Sequence, residues 1–196
     1  MSFIELARTR RSVRKYHVDP VPDEIIRELL EAARLAPSGC NVQPWRYLII
    51  KDPEMMCCLK QEGIFWQDFV YGAPLLIIGC GDLLAYENER SGIRRQIEEN
   101  IQPPDAEQRI DKVFRGSELE RLKRDVAISM AHIVYRAEEI GLGTCFIGSF
   151  YRERLAKFLT LPENIVPILS LAVGYPAENP EARPRKPLED ITYRVI

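Results

Sequence analysis

Five cations, Arg8, Arg10, Arg11, Arg14 and Lys15, fall within eight residues around Ser12. Guanidinium groups hold phosphate in bidentate geometry and a neighbouring hydroxyl can complete the cradle. The cluster therefore reads either as a phosphate site or as a solvated basic patch. Two further runs are built from small residues that let backbone approach a ligand closely: Pro37-Ser38-Gly39-Cys40-Asn41 and Gly141-Leu142-Gly143-Thr144-Cys145-Phe146-Ile147-Gly148. Side-chain acid/base chemistry has fewer candidates. Glu138 and Glu139 are adjacent and point to different helix faces, so they form no dyad.

Other constellations fail on spacing. Gly141-Leu-Gly143 lacks the third glycine of a dinucleotide fingerprint and follows a helix pattern, and Gly79-Cys-Gly81 fails likewise. The sequence contains no phosphate loop ending in Gly-Lys-Ser/Thr, no His-Glu-x-x-His and no Gly-x-Ser-x-Gly. The two histidines, His17 and His132, have no metal-ligand spacing, and His132 reads as a core imidazole. Five cysteines make an odd count without a Cys-x-x-Cys pair, which argues against a disulfide framework or a zinc site. Cys57-Cys58 reads as two small buried hydrophobes rather than a redox pair.

Composition sets the outer bounds. In 196 residues, 27 Lys+Arg stand against 29 Asp+Glu, a net charge of −2, which speaks against a general nucleic-acid binder. No apolar run approaches the roughly 20 residues that span a bilayer. The first residues lack the apolar stretch of a secretory signal, so a cytoplasmic location is expected.

The elements that must position these residues follow from pattern. Ser2 with Glu5 three residues on forms a capping box that opens a helix to about residue 9. Pro22 stands at or near the start of a second helix, carried by Ile25, Ile26, Leu29, Leu30 and Ala33. Residues 45–51 and 75–79 read as strands, the second wholly apolar and so buried on both faces. Residues 82–120 are charge-rich and read as helix, loop and helix, either a lid or a solvated excursion. Residues 125–140 are apolar or small almost all round, which requires burial in a core or against a partner subunit. A strand at 144–147, a helix at 151–159 and a strand at 167–174 complete an α/β or α+β sandwich. The proline-rich tail after Tyr175 ends in an alternating run, 191–196, that reads as an extra strand and is suited to wrapping a partner.

Taken in order, Arg10-Arg11-Ser12-Val13-Arg14-Lys15-Tyr16, then Ala33-Arg34-Leu35-Ala36-Pro37-Ser38-Gly39-Cys40-Asn41-Val42-Gln43-Pro44-Trp45, then 141–148, then Gly174-Tyr175-Pro176 and Arg185-Lys186-Pro187-Leu188 closely resemble the nitroreductase family of FMN-dependent oxidoreductases. The resemblance spans essentially the whole chain, with 82–120 outside its recognisable motifs. It implies a single α+β domain over 1–196, a three-layer sandwich with a central, mostly antiparallel sheet, and an intertwined homodimer with FMN in the interface. In that domain 82–120 is the lid or insertion and 176–196 a C-terminal arm. Carried over by position, Arg10, Arg11, Ser12 and Arg14 contact the phosphate, ribityl chain and pyrimidine edge, and Arg185 adds a second phosphate contact. Pro37, Ser38, Gly39 and Asn41 approach the flavin largely from the other subunit. Phe146, Ile147 and Gly148 line the ring, with the Gly148 N–H near flavin N5.

The implied reaction is ping-pong. NADH or NADPH gives hydride to N5, and a nitroaromatic, quinone or similar small acceptor then takes it. The flavin carries the electrons, so a side-chain dyad is not required. The open alternatives are an FMN-binding storage or redox module, or a specialised relative such as the flavin-cleaving enzyme of the cobalamin pathway. Iodotyrosine deiodinases also share motifs, but they carry a lid between the strands that correspond to 45–51 and 75–79, where this chain has only a short connection.

Overall fold

The apolar run at 75–79 lies in the middle of the molecule. The computed structural model describes residues 2–114 and 118–194. In chain order the helices are α1 (Phe3–Thr9), α2 (Asp23–Arg34), α3 (Pro53–Gln61), α4 (Ala85–Glu98), α5 (Ala106–Phe114), α6 (Glu118–Glu139), α7 (Arg152–Phe158) and α8 (Leu188–Ile191). The strands are β1 (Trp45–Ile50), β2 (Leu75–Asp82), β3 (Gly143–Ile147) and β4 (Ile165–Gly174). They form one antiparallel sheet in the order β1-β2-β4-β3, with a register shift at Gly79/Cys80 between β2 and β4.

Alternation along β2 divides the core in two. Leu75 and Ile77 face a cluster built with Leu29 and Ala33 of α2 and Val126, Met130 and Ile133 of α6. Leu76, Ile78 and Cys80 face the opposite cluster, built with Met56 and Leu59 of α3 and Leu155 of α7. All five of these β2 side chains have no exposed surface, so the strand is apolar because both faces are covered. The result is helix, sheet, helix: three layers of an α+β sandwich.

Two glycines let α6 lie close on the sheet. A Cβ added at Gly79 would sit 2.3 Å from Met130 Sδ, and one at Gly81 would sit 2.5 Å from Leu122 Cδ2. The Gly79-Cys-Gly81 pattern thus serves helix packing. Across the same interface Ser129 Oγ donates to the Ala33 carbonyl at 2.8 Å and is hydrogen-bonded to the Tyr47 hydroxyl, joining α2, α6 and β1.

Burial gives this core a pH limit. It pushes the Cys80 thiol from 9.0 up to about 12 and the Tyr47 phenol from 10.0 up to about 12. Both groups keep their protons in the folded chain over a range where the unfolded chain has lost them. Stability is therefore expected to be complete below pH 9 and to fall between about pH 9 and 12, by roughly 1.4 kcal/mol per pH unit for each group. Denaturant midpoints measured from pH 8 to 11 check this; a midpoint independent of pH above 9 would contradict it. Tyr47→Phe should make the part above pH 10 less steep by one group's share, the rest remaining with Cys80 and with Tyr16 and Tyr86, whose phenols burial also pushes up.

Several expectations need correction. Helix α6 begins at Glu118, seven residues before the apolar stretch suggested, and only one of its faces is buried; Ala127 and Ile128 lie exposed on the other. His132 on this helix is half-buried rather than in the core. Cys57 and Cys58 are exposed, because the inward positions of α3 are taken by Met56 and Leu59. The tail is not a strand at its start: residues 188–191 form the short α8 and 192–194 have no regular structure, while Val195 and Ile196 lie outside the described residues. Within 82–120, α4 and α5 do form a helix, loop and helix, tied by Arg94 Nε to Glu107 Oε1 at 2.7 Å.

Candidate functional site

The basic segment leaves α1 and runs along the edge of the sheet. Helix α1 opens with the Ser2/Glu5 capping box, the Glu5 carboxylate accepting from the Ser2 N–H at 2.7 Å and Ser2 Oγ from the Glu5 N–H at 3.3 Å. Past Thr9 the chain turns extended at Arg10 (φ −51, ψ 132). Ser12 then forms a parallel bridge to Thr144 of β3, with the Val13 N–H donating to the Thr144 carbonyl at 2.9 Å. The approach is close because residue 143 is glycine: a Cβ there would sit 2.8 Å from Val13 Cβ.

This geometry gathers three of the predicted residues. Burial raises the pKa of Cys145 in β3, while the Arg14 and Arg10 charges and a hydrogen bond from Ser12 act in the opposite direction. Ser12 is bridged to Thr144 and Arg14 Nη1 donates to the Ser12 carbonyl at 3.1 Å, so both lie at the β3 edge, with the Arg10 charge near enough to act on Cys145. Arg11 is spent differently, its Nη1 donating to the carbonyls of Arg8 (2.6 Å), Thr9 (2.8 Å) and Arg10 (2.9 Å), so that it caps the last turn of α1. Arg185 lies on the exposed tail and donates to the carbonyls of Arg183 and Pro184.

The same edge strand supplies the end of the site. Phe146 is 41% exposed, whereas the Ile147 side chain is turned into the core. Gly148 is open: an added Cβ would meet nothing nearer than Leu169 Cδ1 at 4.0 Å. Its carbonyl accepts from Arg152 Nη2 at 2.6 Å, and that guanidinium also reaches the Ile168 carbonyl, fixing the strand end. Arg152 was not legible as part of the site from sequence.

The Pro37–Asn41 residues lie elsewhere. They connect α2 to β1, the opposite edge strand, so the two groups of site residues are separated by the width of a four-stranded sheet, roughly 14 Å at ordinary strand spacing. They also differ in level, since Trp45 pairs with Gly81 at one end of the sheet and Gly143 with Gly174 at the other. The turn itself is strained. Cys40 (φ 48), Asn41 (φ 55) and Gln43 (φ 49) all occupy the left-handed region without being glycine. Ser38 holds it, its Oγ accepting from the Gln43 N–H at 2.9 Å and its carbonyl from the Asn41 N–H at 3.1 Å. A cavity of about 270 Å³ opens beside the turn, with Asn41, Arg46, Asp82, Ile93 and Gln96 in its wall.

Among the described residues no cluster of three or more His, Cys, Asp or Glu could hold a metal ion, and no helix is long and apolar enough to cross a membrane. The class defined by fold and site is thus a three-layer α+β sandwich with a cation-and-hydroxyl set on one sheet edge and a strained small-residue turn on the other. The sequence pattern of the Nitroreductase family matches residues 7–175, and the chain belongs to that family. It is 34% identical over 192 residues to an NADH dehydrogenase of Thermus thermophilus, covering 94% of this chain and 92% of the relative. It is 26% identical over 190 residues to an FMN reductase (NAD(P)H) of Bacillus subtilis, covering 94% and 70%. A nitroreductase family protein from Clostridium difficile superposes with a TM-score of 0.74 at 29% identity over the full length of both chains.

Proposed function

We propose that the chain is an FMN-dependent NAD(P)H oxidoreductase acting as a homodimer on a small electron acceptor such as a nitroaromatic or quinone. The observation that carries this reading is the pairing of Ser12 with Thr144 on the β3 edge, with Arg14 Nη1 on the Ser12 carbonyl, while the expected counterpart, the Pro37–Asn41 turn, leads into the opposite edge strand. Two copies placed edge to turn would bring the two sets to the same ligand from opposite sides. The names of the Thermus and Bacillus relatives agree with the assignment of a nicotinamide donor and FMN.

The residues suit the group. The Arg10 guanidinium and the Ser12 hydroxyl on one strand edge match a phosphate, Arg14 adds a second cation for the rest of the ligand, and the Gly148 backbone, with open space above it, suits the face of a planar ring. When bound, FMN would accept hydride from NAD(P)H and pass it to the acceptor, the two substrates using one site in turn. In this assignment Arg10 and Ser12 hold the phosphate, joined by Arg185 once the arm is docked in the dimer. Arg14 sets a positive charge at the pyrimidine edge and offsets negative charge there. Phe146 and the Ile147–Gly148 backbone flank the ring, with the Gly148 N–H assigned to N5. Ser38, Gly39 and Asn41 of the second copy close the other side, and Pro37 starts their turn.

The test is spectroscopic. Purified protein, with FMN added if needed, should show a bound-flavin band that NADH or NADPH bleaches anaerobically and that an added quinone restores. A flavin band that neither nucleotide bleaches would replace this reading with a flavin-storage module. No flavin uptake at all would remove it.

A further inference from the structure

Among the described residues one acid holds the backbone of the cationic segment, and no motif points to it. Glu178, four residues past the end of β4, places Oε1 2.6 Å from the Arg14 backbone nitrogen and 3.2 Å from that of Lys15, accepting from both. Backbone pairing fixes the register of this contact: the His17 N–H donates to the Tyr175 carbonyl at 2.9 Å, Tyr16 bridges Pro176, and the Ala177 N–H donates to the Lys15 carbonyl at 2.9 Å. Residues 12 and 13 thus pair with β3, and residues 14–17 pair with the start of the tail. Nothing else described in the tail up to residue 187 has regular secondary structure.

We propose that Glu178 is a positioning residue for the flavin site, clamping the backbone at Arg14 and Lys15 so that the Arg14 guanidinium is held against the ligand, and setting a negative charge that moderates it. The inference rests on the flavin reading above. A carboxylate accepting two backbone N–H groups makes charge-assisted bonds, stronger than neutral ones. It also consumes two donors that would otherwise compete for an incoming anion. The Arg14 side chain is steadied on the other side by its Nη1 bond to the Ser12 carbonyl at 3.1 Å and by the Phe69 ring, 5.8 Å away. Without Glu178, the extended stretch between Ser12 and Tyr16 loses its only acidic tether among the described residues.

Two variants test it. Glu178→Ala removes both bonds and should raise the FMN dissociation constant, measured by flavin fluorescence on the apoprotein, by about tenfold or more. Glu178→Gln keeps an accepting oxygen and removes the charge, so its FMN affinity should stay within about threefold of wild type. In that variant the midpoint potential of bound FMN should move positive, because the positive charge at the pyrimidine edge is no longer offset. A merely structural role would not move the potential. Wild-type affinity in Glu178→Ala, or tighter binding there, overturns the inference; tighter binding would make the carboxylate a competitor for the anion. An unchanged potential in Glu178→Gln overturns it too, and decides the matter if the alanine variant does not fold. Failure of wild type to take FMN removes the flavin reading and this inference together, whereas uptake by wild type with Glu178→Ala unaffected removes only the inference.

Discussion

Arg10→Ala should purify free of flavin and bind added FMN with an affinity lowered by about tenfold to a hundredfold, the value of losing hydrogen bonds to a charged partner. The fold should not suffer. The Arg10 contribution to α1 is its backbone, whose N–H donates to the Leu6 carbonyl at 3.1 Å, and alanine keeps that bond. Its neighbour supplies the contrast. Arg11 spends its Nη1 on three carbonyls at the end of α1, so Arg11→Ala should lower the melting temperature more than Arg10→Ala does and lower FMN affinity less. Fluorescence titration and thermal melts on the two variants separate a ligand-binding arginine from a helix-capping one. Equal FMN affinity in Arg10→Ala and wild type would withdraw the phosphate assignment from this edge of the sheet.

That contrast could not have been read from the sequence, where Arg10 and Arg11 are adjacent members of one basic run. Residue type selected the cluster, but the turn at Arg10 and the pairing of Ser12 with Thr144 carry the segment onto β3, while the Arg11 guanidinium folds back onto the carbonyls at the end of α1. Local signals were legible wherever the cause is local. The Ser2/Glu5 capping box, the Pro-led start of α2 and the apolar β2 all appear where pattern placed them. Readings failed where burial depends on distant partners. Arg121 and Asp125 interrupt the apolar pattern of α6, yet both are buried: Asp125 accepts from Arg124 Nε at 2.9 Å and from the Tyr86 hydroxyl at 3.3 Å, and Arg121 stacks 4.2 Å from the Tyr86 ring centroid. The charged residues Glu118, Glu120, Arg121, Lys123 and Arg124 hid the first two turns of the helix. Alternation at 191–196 suggested a strand, but a strand needs an adjoining edge, and within one chain the Pro187 start favours a single helical turn. Glu178 lies 164 residues from Arg14, and no spacing rule connects them.

The contact between Gly143 and Val13 is the narrowest tolerance at the site, and Gly143→Ala is expected to break it. The added Cβ would lie 2.8 Å from Val13 Cβ and 2.9 Å from both of its methyl carbons, with β3 held from behind by its pairing to β4. Val13 is 5% exposed, so it has little space to move into, and its Cβ is too near the backbone for a rotamer change to relieve the clash. The relief available is to lift the segment off the sheet, and Ser12 and Arg14 move with it. Overpacking of this kind costs about 1–3 kcal/mol, or roughly 3–10 °C in melting temperature for a chain of this length. FMN affinity should fall in parallel, because the two residues flanking Val13 carry the assigned contacts. Gly148→Ala distinguishes this from a general intolerance of β3 to side chains. There the nearest atom is 4.0 Å away, so the apoprotein should melt as wild type does, while a methyl on the surface assigned to the ring should still weaken FMN. Loss of stability without loss of flavin in Gly143→Ala would mean that the segment carrying Ser12 and Arg14 is not what holds the ligand.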